Sequence, residues 1–462
     1  MSTPFRVAIV GGGMTGLIAA LTLDRVGIDF FLVEAYPDVN PDVGASIALY
    51  PNYQRVLDQL GVLDHVLSES EELRTLTCRD GNGRPVFTHH VAEAIHAQTG
   101  YGIATFKRSQ LLRILHENLS AEGKAKVHGS QRVTHIEELP GDEEGVRLHF
   151  EGGQTRDADL VIGADGTHSI VRSEMWRLAQ QTDPKAFIGD QREDMITEFG
   201  AVFGLSHKTG DLRTDHAYQI SSQDMTIGLF GGQNGEALWF LFFKVTDENS
   251  PGRKSAAEIP TWTKEQGAEI CSKYLDVKLS DGTTFGEVYN NAYRITTHAC
   301  PMHTLRRWTA GRLICLGDSV ARANPILAQG GAQGAESVLM LVDRLKAELE
   351  NKKKQQHKQT SSESDSDDEA PNYNVKLSNS EVEKLLTGVA EEREPRVRSF
   401  IADSQKIMRI SAWSGWLFRL VGKYIAPWLP TWVIVAQALG PWKGAYLSSS
   451  LPAPSQKPAG NA

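Results

Sequence analysis

The stretch RVAIVGGGMTGLIAALTLDRVGIDFFLVE, residues 6–34, decides the fold. Residues 6–10 form a β-branched run that stops at glycines, the pattern of a first parallel strand. Met14 to Val26 carries apolar residues at helical spacing, and Gly27 supplies a stop signal. Phe30 to Val33 follows as a second strand and ends at Glu34, so the order predicts a βαβ unit. Within it, Gly11, Gly13 and Gly16 make G-x-G-x-x-G. Gly11 permits the tight turn, Gly13 lets the backbone approach a pyrophosphate, and Gly16 lets helix and strand pack closely. The first N–H groups of the helix, with their partial positive charge, then face phosphate oxygens. Glu34 lies near the ~20-residue spacing of an acid that bonds a ribose hydroxyl. An acid there favours a ribose without a 2′-phosphate, hence NAD or FAD rather than NADP.

Two later stretches choose between those dinucleotides. Residues 159–172 read DLVIGADGTHSIVR, and residues 312–336 read RLICLGDSVARANPILAQGGAQGAE. In each, a buried strand ends at an aspartate beside a glycine (Asp165-Gly166 and Gly317-Asp318), where a carboxylate can meet a ribose or ribityl hydroxyl. In the second, Pro325 and the Gln329-Gly330-Gly331 turn precede a helix whose positive end suits an electron-rich reduced flavin. One Asp-Gly pair alone is more often a plain turn. Three glycine–acid elements in this order point to FAD.

A length of 462 residues exceeds one ordinary core, which predicts two domains or one large α/β assembly with an inserted sheet. Hydrophobic residues at 40% and charged residues at 23% are ordinary for a soluble globular chain. The net charge of −9 owes much to the acidic stretch 363–369, and without a basic stripe no nucleic-acid partner is expected. Cys78, Cys271, Cys300 and Cys315 are scattered and form no CxxC pair, so no metal is expected and a reducing intracellular compartment fits. The apolar run Val7–Val10 is too short for a signal peptide. From about 195 to 245 the period changes. Ala201–Leu205, Thr226–Phe230 and Ala237–Lys244 read as longer strands of an antiparallel sheet inserted into the α/β part. A helix is expected over Gly331–Leu349, followed by a polar low-complexity segment, Asn351–Asn374, that cannot bury enough surface to order itself.

The region 395–450 is rich in Trp and aliphatics but is interrupted by Arg419, Lys423, Pro427 and Pro430. A spanning helix needs about 20 nearly uncharged residues. Contact of residues 412–442 with a membrane surface, on the cytoplasmic face, ranks ahead of packing on the protein's own core, and a true span ranks third. The expected organisation is an FAD-binding domain over 1–175 plus 295–350, a substrate-binding sheet over 176–294, a polar insert over 351–378 and a C-terminal helical region over 379–462.

In order and spacing, the three motifs resemble the aromatic-hydroxylase (group A) class of FAD-dependent monooxygenases. More closely, the chain resembles the fungal branch that epoxidises or hydroxylates meroterpenoids, indole diterpenes and polyketide polyenes. Further matching stretches are GASIALYPNYQRVLDQLG (44–61), FKRSQLL (106–112), WFLFFK (239–244), GDSVARANP (317–325) and GAYLSSSLPAP (444–454). The resemblance implies a glutathione-reductase-like FAD domain with an inserted, mostly antiparallel sheet and a C-terminal helical region. It implies FAD contacts from Glu34, Ala48, Arg108, Asp318 and Gly331, with the Arg108 guanidinium on the pyrophosphate. Asp165 and Gly166 belong to the motif that touches both FAD and a passing NAD(P)H. The implied reaction uses NAD(P)H and O₂ to add one oxygen atom to a lipophilic terpenoid or polyketide. Tyr218, with His216 and Arg213 as alternatives, is the candidate general acid, although a structural tyrosine fits the same loop. Two positions depart from the family pattern: Ala321 stands where a histidine is usual, and Ala328 where a glycine is. A flavin-dependent reductase, an aromatic-ring hydroxylase and a flavin-free prenyl-protein escort remain the competing readings.

Overall fold

Strand Arg6–Val10 is the centre of a six-stranded sheet. It pairs in parallel with Asp29–Val33 on one side and Leu160–Gly163 on the other, and the latter pairs in parallel with Leu313–Cys315. These short β-branched segments are buried along nearly their whole length, covered by helix Met14–Val26 and by the antiparallel strands of residues 133–158. Their shared direction puts Gly11, Glu34, Asp165 and Gly317 at one end of the sheet. Helix Met14–Val26 leaves that end and stops at Gly27, whose φ of 72° lets its N–H reach back to Asp24 and Leu23 carbonyls. The computed structural model describes residues 4–38, 46–139, 144–187, 195–245, 259–360 and 373–456.

A seven-stranded sheet lies beside it, in the spatial order 292–299, 199–206, 237–244, 225–231, 216–222, 75–80, 85–90. All its pairings are antiparallel except that of His216–Ser222 with Thr75–Asp80. The sequence reading finds only its three central strands. His216–Ser222 mixes polar and apolar residues and reads as a turn, and Ala292–Ala299 is only half-buried. The strands at 75–80 and 85–90 come from inside the block assigned to the FAD domain, and the expected boundary at 295 falls within a strand. Local patterning cannot register pairing between segments so far apart.

The helix expected over Gly331–Leu349 runs from Gly330 to Thr360, so the first part of the expected insert is helical. Residues 361–372 of that insert lie outside the described residues. Its last part is core: Tyr373, Val375 and Leu377 are buried in alternation, and Phe5 N–H donates to the Tyr373 carbonyl at 2.9 Å. Lys376 pairs with Asp159 at 2.7 Å and Arg312 donates to the Leu377 carbonyl, which fastens this segment to the parallel sheet. Helix Asn379–Ser411 then packs along the Gly330–Thr360 helix, and shorter helical turns at 416–428 and 431–438 follow. The tail returns to the core, where Ser448 Oγ donates to Asp343 Oδ1 at 2.6 Å. No helix among the described residues is long and apolar enough to cross a membrane.

Candidate active site

The carboxyl ends of the parallel strands open onto a crevice where the three sequence motifs meet. Gly11, at φ 106°, lies so close to the neighbouring strand end that a Cβ there would sit 2.5 Å from the Ala164 carbonyl oxygen. A Cβ on Gly16 would sit 1.9 Å from the Gly11 oxygen, so both glycines are demanded by backbone contact. Gly13 differs: among the described residues its only neighbour within 4 Å would be the Arg108 guanidinium, 3.9 Å away. This open space lies between the start of helix Met14–Val26, which no side chain caps, and an arginine with no carboxylate partner among the described residues. Thr15 Oγ1 closes the junction, standing 2.4 Å from a Cβ built on Gly317 and 2.5 Å from one on Gly334.

The acids are held differently from one another. Glu34 Oε2 accepts from Gly12 N–H at 2.7 Å and Oε1 from Tyr36 N–H at 3.0 Å, so it braces the glycine loop and keeps lone pairs spare. Asp165 Oδ2 accepts from the N–H groups of Ile170 and Val171 at 2.7 and 3.1 Å. Its Oδ1 is buried without a partner among the described residues, and burial raises the pKa of the carboxyl. Gly166, at φ 75°, has open space above it. Asp318 is exposed, faces Gly330 and lies 3.7 Å from Arg322 Nε. Gly331 is wedged between Tyr53 and Met14, at 3.1 and 3.2 Å from an added Cβ. Ala48 pairs with Thr105 in a short antiparallel ladder that ends beside Arg108. Eight of the ten residues expected at the cofactor lie at the strand ends or in the helix starts that follow them, whereas Arg108 faces them across the gap at Gly13 and Ala48 lies on the adjoining ladder.

Tyr218 lies within strand His216–Ser222, not between strands. It packs with Ile220, Trp239 and Phe285 on the sheet face away from the crevice, and its hydroxyl accepts from Arg213 N–H at 3.2 Å. Arg213 pairs with Asp215, and His216 stacks on the Tyr218 ring. The opposite face turns Ala201, Phe203, Phe240 and Phe242 toward Ile326, in the turn before the Gly330–Thr360 helix. Sequence reasoning missed four residues here: Phe203, Ile326, His298 and Arg322. His298 is drawn below its ordinary pKa by desolvation and then by the Arg322 and Arg108 charges, so two guanidinium groups border the crevice. Arg322 stands in the GDSVARANP stretch, but nothing in the spacing showed where it points.

Both departures from the family pattern have a structural consequence. Ala321 is buried and pairs with Thr304 in a two-residue antiparallel ladder, so its own side chain offers no hydrogen bond where a histidine would. Ala328 adopts φ 50°, a left-handed conformation that an alanine takes at a cost of roughly 1 kcal/mol. Ala328→Gly is expected to raise stability by about 0.5 kcal/mol in a denaturant melt, the relieved strain outweighing the entropy that glycine adds to the unfolded chain; a less stable variant would remove the strain argument.

A family model described as "FAD binding domain" matches residues 5–371. The FAD-dependent monooxygenase atmM of Aspergillus flavus is 31% identical over 427 residues, covering 92% of this chain and 82% of its own. The FAD-dependent monooxygenase ptmM of Penicillium ochrochloron is also 31% identical, covering 92% and 93%. The chain belongs to the FAD-dependent monooxygenases. Two solved structures share the monooxygenase fold. HpxO of Klebsiella pneumoniae, complexed with FAD and uric acid, superposes with a TM-score of 0.69 at 18% identity, covering 94% of this chain and 95% of that one. CtdE, in complex with FAD and a substrate, superposes with a TM-score of 0.67 at 17% identity, covering 95% and 98%. This monooxygenase therefore pairs an FAD-binding parallel-sheet domain with an aromatic-walled second sheet.

Proposed function

We propose that the enzyme takes two electrons from NAD(P)H and adds one oxygen atom of O₂ to a carbon–carbon π-bond of a lipophilic terpenoid or polyketide. The second oxygen atom leaves as water, with protons from NAD(P)H and solvent. Epoxidation of an isolated alkene is favoured over hydroxylation of an aromatic ring. The observation that carries the reading is the phenylalanine wall facing Ile326. It places apolar surface opposite the turn that opens the Gly330–Thr360 helix. A broad phenylalanine surface of this kind matches an apolar substrate, with the His298, Arg322 and Arg108 groups left at the border.

The residues fit FAD. The gap beside Gly13 admits a pyrophosphate between an uncapped helix start and the Arg108 guanidinium, and backbone contact at Gly11 and Gly16 forms the cradle. In this reading Glu34 takes the ribose and Asp318 the ribityl chain. Ala48 and Gly331 would flank the flavin ring, and Asp165 with Gly166 would border both the cofactor and an approaching nicotinamide. Bound FAD supplies acceptance of two electrons and activation of O₂. The chain's part is to bind and orient, and to exclude water through Phe203, Phe240 and Ile326. Tyr218 is assigned a structural role, because it packs with Ile220, Trp239 and Phe285 on the face away from the crevice.

The test is product analysis under labelled oxygen gas, using the FAD-loaded protein, NAD(P)H and candidate terpenoid and polyene substrates. A product with one labelled oxygen, formed mole for mole with nicotinamide oxidation, is expected. An unlabelled or reduced product would overturn the assignment in favour of a reductase.

A further inference from the structure

The part of the surface least explained by folding lies between residues 413 and 432. Trp416 is 80% exposed, Trp428 86% and Trp432 71%, and Leu420, Tyr424 and Ile425 are exposed alongside them. Leaving this much large apolar surface in water is costly, and seven such side chains within one segment, Leu417 included, are not scattered singletons. The segment is also firmly held. Trp413 is buried, Gly422 packs so close that a Cβ would sit 2.7 Å from the Ile410 oxygen, and Ser414 donates to Asp224 at 2.8 Å. On the next helix, Val435 is buried with Leu439 against Val91 and Ile95, and Thr431 is hydrogen-bonded to His89. A fixed base therefore presents the tryptophans outward.

Charge identifies what they face. The chain carries −9 overall, yet no aspartate or glutamate follows Asp403, and Arg419, Lys423 and Lys443 lie in or beside the aromatic segment. No described carboxylate pairs with any of the three; Lys423 instead lies over the Trp413 and Tyr424 rings at 5.9 and 5.4 Å. Amphipathic indole rings with unpaired cations match the interface of an anionic bilayer, where rings sit at headgroup level and ammonium groups meet lipid phosphates and carboxylates. A soluble protein partner would not by itself select for tryptophan, proline turns and an acid-free flank together.

We propose that residues 413–432 dock the enzyme on the surface of an anionic membrane without crossing it. Helix Thr431–Ala438 shares its apolar cluster with Ala48 and Tyr50, so the docked face adjoins the expected flavin crevice. A substrate dissolved in the bilayer then reaches the crevice without passing through water. This delivery role rests on the apolar substrate proposed above; the docking itself does not.

The experiment is flotation of the FAD-loaded protein with vesicles of phosphatidylcholine alone, or with about 30% phosphatidylserine. Co-flotation with the anionic vesicles is expected, and largely lost near ~0.5 M salt. Replacing Trp416, Trp428 and Trp432 together by serine is expected to weaken partitioning at least ~10-fold, with flavin content and melting temperature unchanged. Arg419→Gln and Lys423→Gln each weaken it about fivefold. Absence of wild-type flotation, equal flotation of the triple variant, or a wild-type dimer that the triple variant dissolves without any vesicle binding would each overturn the docking. Labelled product in the absence of flotation leaves the oxygenase reading standing. Flotation with unlabelled product keeps the docking and ends that reading.

Discussion

Gly13→Asp will fold normally and lose at least ~100-fold in FAD affinity. The position accepts a side chain without strain, because φ is −72° and ψ −175° and aspartate is a favoured residue at a helix start. Among the described residues a Cβ there meets nothing closer than the Arg108 guanidinium at 3.9 Å. The new carboxylate will pair with Arg108 and cover the first N–H groups of the helix, the same partners that a pyrophosphate would use. Charged hydrogen bonds contribute about 1.5–3 kcal/mol each, so two of them lost, with like-charge repulsion added, give the expected factor. Fluorescence titration of the apoprotein with FAD measures it, beside a thermal melt. Wild-type flavin binding by a normally folded Gly13→Asp would show that the pyrophosphate lies elsewhere. Gly16→Ala is a poorer test, since a Cβ 1.9 Å from the Gly11 oxygen would damage the fold itself.

The second large effect lies behind the crevice. Glu336 is fully buried and accepts from Arg393 at 3.0 Å, from Arg396 and Tyr446 N–H at 3.3 Å, and from Asn52 at 3.1 Å. One carboxylate thus ties the Gly330–Thr360 helix to helix Asn379–Ser411, to helix Pro51–Gln59 and to the returning tail. Glu336→Ala leaves the buried Arg393 guanidinium without its counter-charge and is expected to cost about 3–5 kcal/mol, read as a lowered denaturant midpoint. Glu336→Leu combined with Arg393→Met should recover part of that loss, because two apolar side chains remove both desolvated charges. A single-variant loss below ~1 kcal/mol would mean that water enters and screens the pair. Asn52 also donates to Gln329 at 3.0 Å, so the damage reaches the turn before Gly330 and should weaken flavin retention as well.

Much of the cofactor side was legible in the residues because its determinants are local. Gly16 is needed by a contact inside one βαβ unit, and Gly11 by its φ of 106° in the same turn, to which the distant Ala164 carbonyl adds a second demand. Asp165 and Asp318 each follow their own strand directly, so parallel pairing alone brings them to the same end. The substrate side was less legible. Tyr218 and Gln219 are neighbours in sequence but face opposite sides of a sheet, and a one-residue difference in register exchanges their roles. Without the pairing partners 75–80 and 225–231, nothing marked His216–Ser222 as a strand. Residues 373–378 look like the end of a polar linker, and only the cleft beside Phe5 and Asp159 makes their alternation a buried one.

By itself the chain's order of residues determined the dinucleotide cradle, the flavin-type assembly and the family, since turns, helix starts and strand ends are set by backbone geometry within a few residues. The tertiary structure alone decided which aromatic residues line the crevice, which face Tyr218 turns to, and which tryptophans stay in contact with water. Those outcomes depend on pairing and packing between segments hundreds of residues apart. Side chains of the same type become wall, core or docking surface according to what happens to be folded against them.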